Sequence, residues 1–275
     1  MTLRAALAIV LLTGCAGHTR PNAGPTASSA VTWRVATYNI HHGRGMDDRV
    51  DLERIAAVLR PLDADIIALQ EVDERVARSG QVDQARRLGE LLGMHHAFGS
   101  FMDYQGGRYG LAVLSRCAPQ RVEAVRLTEG NEPRVALVIE LEQPDGSILT
   151  VVNVHFDWVR NDGFRFTQAR EVARLLDGMA GPFVIAGDFN DVPGSRTLSL
   201  FHERAEEAVK PSDRRFTFSS TEPQKEIDFV FAAPAAAWSV ESVDVVNERM
   251  ASDHLPVIAV LKQQRSAADS TLCAA

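Results

Sequence analysis

The chain of 275 residues is long enough for one large α/β domain or two of ordinary size. Its 45% hydrophobic and 24% charged residues are those of a folded globular protein and exclude a disordered chain, a collagen-like repeat and a polytopic membrane protein. Asp and Glu total 36 against 29 Lys and Arg, a net charge of −7, which argues against generic nucleic-acid binding, where phosphate contacts favour a basic excess.

Residues 1–30 do not read as fold. Arg4 precedes an apolar run over 5–12, too short to span a bilayer and suited to the central region of a signal peptide. The run ends in Leu12-Thr13-Gly14-Cys15, which resembles a bacterial lipobox. A signal peptide is therefore expected over 1–14, with Cys15 lipidated as the mature N-terminus and the membrane as a partner through that anchor. The alternative is an ordinary signal peptide with an incidental cysteine. Residues 15–30 follow as a tether of small, polar and Pro/Gly residues with an r.m.s. reach of about 20 Å. Ala16 after the cysteine favours an outer-membrane lipoprotein facing the periplasm or the cell surface.

A single domain is expected over 31–263, with a polar tail over 264–275. A strand rich in β-formers covers 31–39. Leu52, Ile55, Ala56 and Leu59 recur with helical spacing until Pro61. A buried strand covers 65–70, and Ala85, Leu88 and Leu92 mark a second helix closed by Gly93. Strands are expected near 95–101, 110–116, 121–127, 134–142 and 148–156. A third helix carries Ala169, Val172, Ala173 and Leu176 on one face. Strands at 183–187, 227–232, 238–246 and 256–262 complete the chain, with a short helix near 196–204. An early βαβα run that gives way to β-meanders predicts an α+β fold: two packed, mainly antiparallel sheets flanked by helices, an α/β/β/α sandwich. Cys117 reads as a buried or edge thiol and Cys273 lies in the tail, with a pairing between them left open.

Polar residues collect where apolar strands end. In 183–190 (FVIAGDFN), Asp188 and Asn190 are two apart, so both can offer oxygen to one hard cation or phosphate; alone, the same residues also read as an Asx turn. Glu71 closes the apolar run DIIALQ, Asn39 and His41 close the first strand, and His155 closes LTVVNVH. Ser252-Asp253-His254 precedes the last apolar strand. His42, His95 and His96 read as turn or surface residues, and His18 and His202 carry no motif.

TYNIH (37–41), LQEV (69–72), YGLAVLS (109–115), NVHFD (153–157), GDFN (187–190), IDFVF (227–231) and SDH (252–254) occur in the order of the endonuclease/exonuclease/phosphatase superfamily, which the chain resembles over about 33–262. That resemblance implies a deoxyribonuclease-I-like fold and a metal-dependent hydrolase of phosphoesters. Position by position it implies metal ligation by Asn39, Glu71, Asp188, Asn190 and Asp253, with His41 near the metal. His155, Asp188, Asn190, Asp228 and His254 match catalytic positions, Asp228 orienting His254. Arg134, His155 and Asn190 match phosphate-binding positions. His41 stands where DNA-repair members carry an acid, a departure from that branch. Mg²⁺ is the expected cofactor, with Mn²⁺ or Ca²⁺ as alternatives.

The expected substrate is a phospholipid headgroup or small phosphoester, with no stable nucleic-acid partner and a monomeric chain. Net acidity, the tether and the aromatic–arginine mixture of 156–166 motivate that choice. The alternatives are an extracytoplasmic nuclease of the same superfamily and a non-catalytic binding lipoprotein. A degenerate binder is expected to lack some of Glu71, Asp188, Asn190, Asp253 and His254, and all five are present.

Overall fold

The computed structural model describes residues 29–265; the expected signal peptide, Cys15, most of the tether and Cys273 lie outside them. In chain order the elements are β1 (Ser29–Asn39), α1 (Leu52–Leu59), β2 (Ile66–Glu74), α2 (Gln84–Leu92), β3 (His95–Tyr104) and β4 (Gly107–Ser115). They continue with β5 (Pro119–Arg126), β6 (Val135–Glu142), β7 (Ile148–His155), α3 (Gly163–Asp177), β8 (Phe183–Asp188) and α4 (Arg196–His202). The short β9 (Glu206–Glu207), β10 (Asp228–Ala233), β11 (Trp238–Val245) and β12 (Val257–Arg265) follow. Two six-stranded sheets result, ordered β11-β12-β1-β2-β4-β3 and β5-β6-β7-β8-β10-β9. Only β1–β2 and β7–β8 pair in parallel among the described strands.

Side-chain alternation builds the layers. Val31, Trp33 and Val35 of β1 pack between the sheets, whereas Ala36 and Tyr38 face α1 and α2. In the other sheet Val135, Leu137 and Ile139 point inward, and Ala136 and Val138 point toward α3 and α4. Strands buried on both faces read as continuous apolar runs, which is why the α/β/β/α sandwich was visible in the sequence. Helices α1, α2 and α4 begin where Asp51, Asp83 and Ser195 accept hydrogen bonds from backbone N–H groups three residues on. No helix among the described residues is long and apolar enough to cross a membrane. Cys117 is buried and disulfide-bonded rather than a thiol.

The inward-facing rows turn polar at one end of the sandwich. Row positions 35, 37 and 39 run Val, Thr, Asn; positions 66, 68 and 70 run Ile, Ala, Gln; positions 151, 153 and 155 run Val, Asn, His. Positions 184, 186 and 188 run Val, Ala, Asp, and 232, 230 and 228 run Ala, Val, Asp. The same period of two that fills the core therefore delivers five polar rows to one pole.

Asn153 joins the sheets there. Its amide donates to the carbonyls of Leu69 and Ala112, both at 2.8 Å, and its Oδ1 accepts from Gln70 Nε2 at 2.7 Å. Leu69 pairs with Ala112 at the edge of a bulge, beyond which the register resumes at Val72 and Gly110. The extra residue of a bulge disrupts the ladder, and the amide satisfies carbonyls at that break. Asn153→Leu would leave these groups unpaired, at a cost on the order of 3 kcal/mol. Urea denaturation checks it; an unchanged midpoint would contradict this role.

Candidate active site

Glu71 sits inside the β2 bulge with φ 58°, a left-handed conformation that turns its carboxylate out of the ladder toward the polar pole. Asn39 Nδ2, at the end of the parallel neighbour β1, donates to Glu71 Oε1 at 3.1 Å and to Asp188 Oδ2 at 3.2 Å. Asn39 thereby bridges carboxylates that are 117 positions apart (188 − 71) and on different sheets. Its Oδ1 accepts the His41 N–H at 3.1 Å.

Asp188 is drawn close to His155 because Gly187 lies against β7: a Cβ at that position would stand 2.0 Å from Val154 O. Asp188 Oδ2 is 3.4 Å from His155 Nε2 and 3.6 Å from His254 Nε2, while Oδ1 accepts the Asn190 N–H at 2.9 Å. Asn190 has φ 50°, and its Nδ2 is committed to Phe156 O at 3.0 Å, which leaves Oδ1 for other partners. Asp228, opposite Asp188 on β10, lies 3.0 Å from His254 Nδ1. Ser252 Oγ donates to Asn39 O at 2.7 Å and fastens the Ser-Asp-His segment to the end of β1. Asp253 is part-exposed at the mouth, 3.7 Å from His41 Nδ1.

Burial and charge set the protonation states. Burial opposes charge on His254, but the carboxylates of Asp228 and Asp188 outweigh it and raise its pKa, so the ring is held as imidazolium. Burial likewise pushes the Asp188 carboxyl up, with Asp228 adding to the rise and His254 opposing it. His155 is held neutral by burial and by the nearby cations Arg134 and His254. The acid beside His155 is Asp188; His155 Nδ1 has no hydrogen-bond partner.

Arg134 is buried, as these groups are. It is 1% exposed, pairs with Glu132 at 3.0 Å and stacks over Phe101, and its Nε and Nη1 have no partner.

Two participants escaped the sequence reading. Tyr109 ends the inward row 109–111–113; burial, and after it the negative charge of Glu71, raise the pKa of its hydroxyl and keep it protonated. The row position of a hydroxyl-bearing residue beside the bulge was the available signal. His42, expected as a turn or surface residue, lies in a tight 3-10 turn but is buried. Burial and the neighbouring cations Arg78, His41 and Arg44 push its pKa down to about 3, so the ring is neutral. By contrast His95 and His96 are exposed, in line with their reading as turn or surface residues, and His202 is exposed too.

Glu71, Asp188, Asp228 and Asp253 form no ion pair with Lys or Arg among the described residues; the basic groups near the last three are imidazoles. Oxygen donors with so little cationic compensation fit a divalent cation. Glu71, Asp253 and the amide oxygens of Asn39 and Asn190 are the groups that would hold it.

The family model described as "Endonuclease/Exonuclease/phosphatase family" matches residues 36–254. An endonuclease/exonuclease/phosphatase from Beutenbergia cavernae DSM 12333 is similar in structure, with 25% identity, a TM-score of 0.71, and coverage of 86% of this chain and 72% of that one. A mannosyl-6-phosphatase from Bacteroides thetaiotaomicron VPI-5482 shares the fold at 20% identity and TM-score 0.68, covering 83% and 99% of the two chains. The human nocturnin catalytic domain, with bound sulfate, does so at 20% identity and TM-score 0.65, covering 84% and 94%. The family's enzymes hydrolyse phosphoester bonds and generally depend on a divalent metal. With its motifs gathered at one pole of the two-sheet sandwich, the chain belongs to the endonuclease/exonuclease/phosphatase family and is a phosphoester hydrolase.

Proposed function

We propose that the chain hydrolyses a small phosphoester, free or as a lipid headgroup, by in-line attack of water with Mg²⁺ as the activating cation and Mn²⁺ or Ca²⁺ as substitutes. The observation that carries this reading is the convergence on Asp188 Oδ2 of Asn39 Nδ2, His155 Nε2 and His254 Nε2, all within 3.6 Å. A proton acceptor and a charged donor thus share one small space.

Asp188 accepts a proton from the attacking water and fixes the direction of its lone pair. His254, held as imidazolium with Asp228 on Nδ1, donates from Nε2 to a phosphoryl oxygen as charge develops there. His155 lines the same pocket as a neutral ring. Asn39 keeps Glu71 and Asp188 in fixed relation, so the water and the cation-binding carboxylate do not drift apart. A divalent cation bound through Glu71 supplies neutralisation of the phosphate oxygens and acidification of water.

The side chains of His155, Asp188, Asp228 and His254 are at most 5% exposed. Such a recess suits a compact ester better than a duplex, as does the net charge of −7. Incubating the purified chain and Mg²⁺ with sugar phosphates, inositol phosphates, sphingomyelin vesicles and plasmid DNA tests the reading. Phosphate or headgroup release from the first three is expected. Plasmid nicking without any such release would assign the chain to the nucleases of its family.

The same proposal includes address: the Leu12–Cys15 tetrapeptide supports lipidation of Cys15 and an extracytoplasmic, membrane-held, monomeric enzyme without a stable nucleic-acid partner. Two or more acyl chains suffice for stable anchoring where one does not. Cys15→Ala is expected to move the protein from the membrane to the soluble fraction; a wild-type chain that is already soluble would overturn the anchor.

A further inference from the structure

His41 and His42 are consecutive residues with φ 46° and 45°, a conformation rare for single non-glycine residues and rarer in succession. It brings both rings to one side of the chain, edge to face with centroids 4.7 Å apart. The surroundings fix it. Gly43 N–H donates to Ile40 O and Arg44 N–H to His41 O, both at 2.8 Å. Gln84, wholly buried on α2, donates from Nε2 to His42 O at 2.8 Å and accepts the Asp73 N–H at 2.9 Å.

One ring nitrogen from each histidine and a carboxylate oxygen of Glu71 all lie within 4.8 Å of one another. His42 is 7% exposed and its Nδ1 has no hydrogen-bond partner; Nδ1 of His41 is also without one. A buried imidazole nitrogen with neither a protein partner nor access to bulk water is costly, and ligation relieves that cost.

The geometry points to a mixed nitrogen–oxygen cation seat formed by His41, His42 and Glu71, selective for Mn²⁺, Co²⁺ or Zn²⁺ over Mg²⁺. It rests on the reading of Glu71 as a cation ligand and deepens it. Ligand atoms around a cation with bonds near 2.1 Å lie about 3 to 4.3 Å apart, so the cluster closes on an ion with a small contraction. Imidazole favours borderline transition metals, whereas Mg²⁺ holds to oxygen donors and water. Abundant Mg²⁺ fills such a seat at high concentration, but the imidazoles add affinity only for the borderline ions. Asp253 is adjacent to His41 as a further oxygen donor on the exposed side.

Two measurements on the chelator-stripped full chain test this without reference to turnover. In wild-type protein loaded with Mn²⁺, electron spin-echo modulation is expected to show directly bound imidazole nitrogen; its absence would overturn the seat. In calorimetric titrations His42→Ala and His42→Asn are expected to weaken Co²⁺ binding at least tenfold and Mg²⁺ binding less than threefold. Asn tolerates the left-handed backbone, so His42→Asn separates lost ligation from a misfolded turn. Co²⁺ affinity unchanged in His42→Asn would also overturn the proposal. Glu71→Gln is expected to abolish binding of both ions, so a cation held by Glu71 without nitrogen ligands refutes this seat while sparing the hydrolytic reading.

Discussion

Glu71→Gln is expected to lower kcat by about a thousandfold or more while leaving the thermal melt near that of the wild type. The amide keeps the shape of the side chain in the β2 bulge but removes the charge that binds a cation. A cation at a phosphoryl oxygen contributes several kcal/mol of transition-state stabilisation, and each 1.36 kcal/mol is a factor of ten. Glu71 has no Lys or Arg partner whose charge the substitution strands, so stability is the quantity that should not move. Stopped assays at saturating cation check the rate, and excess chelator should reproduce the loss in the wild type. Hydrolysis at the wild-type rate by Glu71→Gln, or in chelator, would contradict a cation-dependent role.

The second large effect is expected at His254. His254→Ala removes the donor that faces the developing phosphate charge and leaves Asp188 and Asp228 buried with no imidazolium between them. A positioned proton donor contributes about 10²–10⁴ in rate, so a loss of about a thousandfold is expected in kcat. The variant also brings two uncompensated carboxylates into contact, with a stability loss of a few kcal/mol. His254→Gln and Asp228→Asn separate the two consequences. His254→Gln restores a neutral donor and part of the stability, but not the rate. Asp228→Asn keeps the ring and loses the carboxylate that holds Nδ1, with a smaller rate loss of roughly a hundredfold. Near-normal turnover by His254→Ala in a folded protein would refute the donor role.

The sheets and most of the pole were legible because they depend on local rules. A strand buried on both faces announces itself as an apolar run, and a polar residue at its end announces the pole, as in FVIAGD and ATYN. What the sequence left open depends on contacts between distant segments. Residues 95–104 form a longer strand than expected because pairing with β4 continues through Tyr104. The third helix begins at Gly163, where Phe164 and Phe166 give no helical stripe, and Phe164 stays exposed. The burial of His42 was not legible because the turn that carries it is fastened at its carbonyl by Gln84, 42 positions away. Asn153 drew no role from the sequence, and its partners are carbonyls of the other sheet. Side-chain periodicity carries no information about which carbonyl a bulge will leave open.

The direction of β1 bears on where the enzyme meets its substrate. Asn39 at its last position touches Glu71 and Asp188, whereas Ser29 at its first pairs with Arg265 at the strand's other end. Ten steps of strand at about 3.3 Å each put roughly 33 Å between them. A chain held by a lipid on Cys15 therefore enters the domain at the pole opposite the catalytic mouth. If residues 15–28 are the tether that the sequence leads one to expect, an r.m.s. reach of about 20 Å would be shorter than the domain it would have to swing around. Such an enzyme looks outward from its own membrane. With such an anchor, lipids of the anchoring leaflet would be the substrates it meets least, and esters dissolved in the fluid beyond, or carried on a surface opposite, those it would meet first.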